Sequence, residues 1–163
     1  MSMARLVVFF ALCVLPALVT AARPAKNPFN VVGRVYCDTC RAGFETPATT
    51  YIPGARVRVE CRDRDNLNLL FSVEGVTDAT GTYNIQVAED HGDQLCEAVL
   101  VRSSQEDCGK IESGRERANV VLTRNNGVLS DKRFANNMGF IKDQPLAGCA
   151  EILKQYQSEE YEN

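Results

Sequence analysis

Cys37-Asp38-Thr39-Cys40 is the arrangement in this chain best suited to chemistry. Two thiols separated by two residues make a redox couple when the first sits at a helix N-terminus, where the dipole lowers its pKa. Here a strand-forming run, Val31-Val32-Gly33-Arg34-Val35-Tyr36, leads into the pair, and Ala42-Gly43 starts no helical pattern. The favoured reading is structural, with each cysteine bonded to a distant partner. A zinc site would need a second such pair or more histidines, and the chain has one histidine.

That histidine, His91, stands among Glu89, Asp90 and Asp93. As a general base it would need a serine or cysteine nucleophile within hydrogen-bond reach, and no Gly-x-Ser-x-Gly elbow occurs. The acidic spacing fits no known calcium loop, so a solvated hairpin turn is expected. The carboxylate pairs Glu106-Asp107 and Glu159-Glu160 lack the apolar setting that raises a pKa for acid catalysis. Gly109-Lys110 lacks the upstream glycine of a phosphate-binding loop. Arg56, Arg58, Arg62 and Arg64 form a basic stripe, a candidate contact for pectin-like acidic polysaccharide. An ordinary solvated strand face is the competing reading, with Glu60, Asp63 and Asp65 interleaved. No metal or cofactor is assigned, and no enzyme.

Alternation of apolar and polar residues supplies the elements that would position these groups. Val31 to Tyr36 is a first strand, interrupted at Gly33 as a bulge or a close backbone approach would require. Ala55, Val57, Val59 and Cys61 alternate with Arg56, Arg58 and Glu60, the clearest strand. Leu67, Leu69, Phe71 and Val73 repeat the pattern, as do Tyr83, Ile85 and Val87. Leu95 to Val101 is apolar on both sides except at Glu97, as a strand covered on both faces or one central to the sheet would be. Ala118 to Thr123 and Met138 to Ile141 are further strands. Turn signals separate them at Pro53-Gly54, Asp78-Ala79-Thr80-Gly81 and Asn125-Asn126-Gly127. Cys149, Ile152, Leu153 and Tyr156 fall on one face of a short helix. About seven short strands with a C-terminal helix predict an all-β sandwich or barrel.

The 163 residues suffice for one core. Residues 1–22 read as a secretory signal: Arg5, an apolar run from Leu6 to Leu18, then Thr20-Ala21-Ala22. Residues 23–30 read as a loose arm, 31–157 as the β domain and 158–163 as a tail. Losing the signal removes Cys13 from the seven cysteines and leaves six, an even number suited to disulfides outside the cell. The net charge of −3 becomes −4, since the segment holds one base and no acid. A mildly acidic chain without basic runs excludes nucleic acid as a partner. No C-terminal hydrophobic tail signals a lipid anchor.

Gly33-Arg34-Val35-Tyr36-Cys37-Asp38-Thr39-Cys40-Arg41 resembles the signature of the Ole e I pollen-allergen family. The likeness continues through Ala42-Gly43-Phe44, Ile52-Pro53-Gly54-Ala55, Glu89-Asp90-His91, Cys96, Cys108, Asn137-Met138-Gly139-Phe140 and Cys149. It implies a secreted plant protein of antiparallel β fold, held by Cys37–Cys108, Cys40–Cys149 and Cys61–Cys96, with no established enzymatic activity. Spacing alone leaves fifteen pairings of six cysteines open. The implied role is binding in pollen-tube or tissue growth and signalling, through a receptor-kinase ectodomain or a cell-wall partner. A structural wall protein holding acidic polysaccharide is the alternative. Many members carry an N-linked glycan, but no Asn-x-Ser/Thr sequon occurs here.

Overall fold

The computed structural model describes residues 27–158; the signal segment, residues 23–26 of the expected arm and residues 159–163 of the tail lie outside them. Ten strands and one helix follow in order: β1 (Phe29–Asp38), β2 (Thr50–Tyr51), β3 (Arg56–Asp63), β4 (Leu69–Val76), β5 (Thr82–Val87), β6 (Gln94–Arg102), β7 (Lys110–Ile111), β8 (Arg117–Asn119), β9 (Lys132–Phe134), β10 (Met138–Ile141) and α1 (Cys149–Ser158). The protein is mostly β, as the alternation implies. Strands β2, β7, β8 and β9 span only two or three residues each, too short to show a period.

β1 is the axis of the first sheet. Its N-terminal half lies between β5, antiparallel, and β9, parallel. Its C-terminal half lies between β2, antiparallel, and β10, parallel, and β7 closes that side against β10. The two parallel ladders depart from an all-antiparallel expectation: the long connection over residues 120–131 brings β9 back alongside β1, and β10 follows directly after residues 135–137. The second sheet has the order β4-β3-β6-β8 and is antiparallel throughout. Val31, Val35, Ile52, Val57, Val59, Tyr83, Ile85, Ala98, Leu100, Met138 and Phe140 fill the core.

Four sequence expectations are corrected. Phe29 and Asn30 belong to β1 and not to a loose arm: Phe29 pairs with Val87 and is buried under the guanidinium groups of Arg124 and Arg133. Leu67 and Leu69 do not face inward. A register shift at Cys61/Arg62 breaks the β3–β4 phase, and Leu67 sits in the turn with φ +59°. β6 is central as expected, yet Leu95 is exposed because the β8 ladder covers only Glu97 to Val99. The strand expected to reach Thr123 ends at Asn119; Val120 and Leu122 stay buried, tied to Cys96 and His91 by single backbone bonds.

Candidate functional site

The end of β1 is built from the residues of the cysteine pair. Cys37 is joined to Cys108 (Cα–Cα 6.0 Å) and Cys40 to Cys149 (5.2 Å). Asp38, buried between them, accepts the backbone N–H of Ala42 at Oδ1 (3.0 Å) and of Gly43 at Oδ2 (2.7 Å). Thr39 donates through Oγ1 to the Ala48 carbonyl (2.8 Å), and its own carbonyl accepts from Leu146 N. All four residues of the motif are therefore spent on geometry. They turn the chain, hold the following loop and fasten α1, whose Tyr156 meets Phe44 edge-on (4.9 Å). The third disulfide, Cys61–Cys96, joins directly opposed residues of β3 and β6 (Cα–Cα 4.1 Å).

The arginine stripe lies on the outward face of the second sheet, where carboxylates meet it. Arg58 bonds Glu74 (2.7 Å) and Glu60 (3.2 Å); Arg62 bonds Glu60 (2.7 Å); Arg56 reaches Glu74 (3.4 Å). Glu60 is buried beneath them. Burial opposes its ionisation, but hydrogen bonds from Arg62 and Arg58 and the charges of Arg62 and Arg117 outweigh it, holding its carboxyl below the usual glutamate value. Arg64 stands apart, its guanidinium donating to the carbonyls of Gly92, Asp93 and Gln94 (3.1, 3.0 and 3.4 Å). Four arginines thus share one region without forming a uniformly basic surface.

His91 lies in the solvated β5–β6 loop, but its side chain does not face solvent. It is buried, its ring centroid 4.7 Å from that of Phe71, with Nδ1 3.1 Å from Gln94 Oε1 and Nε2 without a hydrogen-bond partner. A ring nitrogen and the sulfurs of Cys61 and Cys96 lie within 4.8 Å of one another, but those sulfurs are bonded to each other and offer no thiolate. Asp90 points elsewhere, accepting from Gly92 N, Thr123 Oγ1 and Arg124 N, so the acidic cluster is a loop tie. Glu89 and Asp93 are exposed. Asp107 bonds Lys142, which holds its carboxyl low and unsuited to acid catalysis. Glu159-Glu160 lies outside the described residues. Beside His91 opens a cavity of about 410 Å³, lined by Arg62, Arg64, Leu67, Leu95 and Val121 among others. The sequence pattern hides it, because the alternation from Leu67 to Val73 points Leu67 inward and the apolar run from Leu95 to Val101 reads as covered on both faces.

The family model described as "Pollen protein Ole e 1 like" matches residues 27–157, nearly all that the structure describes. The chain belongs to that family. Among its relatives is "Pollen-specific protein C13" of Zea mays, 46% identical over 153 residues, covering 94% of this chain and 90% of the relative. "Protein DOWNSTREAM OF FLC" of Arabidopsis thaliana is 49% identical over 145 residues, covering 89% and 88%. "Anther-specific protein LAT52" of Solanum lycopersicum is 42% identical over 148 residues, covering 91% of each. The crystal structure of the major plantain pollen allergen Pla l 1 superposes with a TM-score of 0.66 at 30% identity, covering 75% of this chain and 99% of that one. Pollen proteins and allergens therefore dominate the comparison, while the Arabidopsis relative is not named for pollen.

Proposed function

We propose that this protein acts outside the cell as a non-enzymatic binding protein of pollen or growing tissue, its partner a receptor-kinase ectodomain. One observation carries this reading: the signature residues are consumed in holding the fold. Gly33 admits Tyr83, Gly139 admits Tyr36, Asp38 caps the loop and the six cysteines form three disulfides. With the motif committed to structure, specificity falls to the surface it displays. Three disulfides in a domain of this size suit an oxidising, secreted setting. The polysaccharide alternative draws less support, since Arg56, Arg58 and Arg62 are already held in ion pairs with Glu60 and Glu74.

The test uses the full mature protein with its disulfides intact. Binding to immobilised leucine-rich receptor-kinase ectodomains is measured beside binding to pectin, each at low and high salt. Salt-resistant capture of one ectodomain supports the reading. Pectin binding that fades with salt, and with Arg56→Ser and Arg58→Ser, would replace it.

A further inference from the structure

Three exposed aliphatic side chains from separate segments converge on one cavity. Leu67, 57% exposed, comes from the β3–β4 turn; Leu95, 45%, from the start of β6; Val121, 57%, from the segment after β8. Each could be polar without cost to the core, so their gathering at one concavity points to a ligand. The volume, about 410 Å³, falls within the roughly 300–1,000 Å³ range of small-molecule sites.

The cavity's polar groups narrow the ligand. Arg62 is held in an ion pair by Glu60, which Arg58 and Arg117 share, and Glu97, which also lines the cavity, is paired with Arg117. Arg64 forms no ion pair among the described residues. Its bonds to three backbone carbonyls fix its position without cancelling its charge. A neutral occupant covering the cavity would strip water from that guanidinium and return nothing; an anion returns a charge-assisted bond. On the inner wall stands His91, 4% exposed, its Nε2 buried without a hydrogen-bond partner.

We propose that this cavity binds a small, largely apolar monoanion, its apolar body against Leu67, Leu95 and Val121 and its charged head at Arg64. The site is independent of the receptor reading and would stand if that failed.

The probe is 8-anilinonaphthalene-1-sulfonate, titrated by fluorescence against the full mature protein with its disulfides intact. N-phenyl-1-naphthylamine, with the same rings and no sulfonate, is the neutral comparison. One saturable site is expected, binding the sulfonate about tenfold more tightly than the neutral probe, with that preference lost in Arg64→Met. Leu95→Glu and Val121→Glu should each weaken the sulfonate about tenfold, while Phe134→Glu, at an exposed side chain of β9 that does not line the cavity, should not change it. Methyl chemical shifts of Leu67, Leu95 and Val121 in the unaltered protein report the same site without relying on any variant's folding. Absence of saturable binding, equal affinity for the two probes, or shifts confined to other residues would overturn the proposal.

Discussion

Gly33 and Tyr83 face one another across the β1–β5 ladder, and a β-carbon on the glycine would lie 2.3 Å from the tyrosine hydroxyl. The tyrosine ring occupies the space a side chain would take, which is why the first strand is broken by glycine. Its hydroxyl is buried without a hydrogen-bond partner, and burial drives its pKa up. Gly139 repeats the device beneath Tyr36 on β10, where the β-carbon would lie 2.4 Å from the ring. Small residues in the signature thus mark where aromatic rings lie flat on the backbone.

Gly33→Ala should therefore destabilise the protein by about 2–3 kcal/mol, the cost of overpacking a filled core. Tyr83→Phe should recover part of that loss in the double variant, because it removes the nearest clashing atom and an unsatisfied hydroxyl together. Urea unfolding of the two single variants and the double measures the coupling. Strict additivity would mean that the glycine serves something other than this contact.

Glu60 sets the sign of the acid response. Its folded carboxyl titrates below its unfolded value, so the stability it contributes is present above the ordinary glutamate pKa of about 4.3 and is lost as pH falls through the lower, folded value. Glu60→Gln should cost about 1–3 kcal/mol near neutral pH, the worth of hydrogen bonds to charged groups, and should flatten the acid limb. Urea midpoints from pH 6 down to about pH 2.5, below the ordinary carboxylate range, give both quantities. An unchanged acid limb would mean that other carboxylates carry it.

The sequence was legible where one face of a strand repeats and opaque where pairing is long-range. Val57, Val59 and Cys61, or Tyr83, Ile85 and Val87, announce their strands because alternate residues enter the core. Met138 to Ile141 reads as a strand although four residues hold hardly one period. Phe29 gives no local sign of its strand, because prolines and a lysine precede it and its cover comes from Arg124 and Arg133, about a hundred residues away. Turn-forming neighbours describe the backbone at His91 correctly and its side chain wrongly: the loop is solvated while the ring turns in against Phe71. Spacing shows the arginines as a stripe with Glu60 among them, but Glu74, which binds Arg56 and Arg58, comes from β4 in a register no spacing reveals, and Arg64 turns away to backbone carbonyls.

Phe29→Ala tests whether β1 begins where the structure places it. A residue on a free arm would be replaced without consequence. A phenylalanine 1% exposed at the head of the central strand should cost about 3–5 kcal/mol on truncation. Hydrogen exchange should show the loss first at the β1–β9 ladder, since Asn30 also bonds Asp131 and Arg124 stacks on the same ring. A stability within about 0.5 kcal/mol of the parent, the usual range for surface substitutions, would restore the arm.

The disulfide Cys40–Cys149 closes 109 residues and is the covalent hold on α1. Chain entropy alone assigns it about 5 kcal/mol, against about 4 kcal/mol for Cys61–Cys96, which closes 35 and staples residues already opposed in the β3–β6 ladder. The helix has little else to keep it: Ile152 and Leu153 are only half-buried, Tyr156 is exposed, and its contact with Phe44 joins it to a loop and not to the core. Replacing Cys40 and Cys149 together with serine should therefore free α1 before either sheet. Amide protection should vanish over Cys149–Ser158 while β3 and β6 keep theirs, and the thermal midpoint should fall. Replacing Cys61 and Cys96 should instead leave the helix protected and lower the midpoint through the second sheet. Equal protection of α1 in both variants would show that packing, and not the sulfur bond, holds the helix to β1.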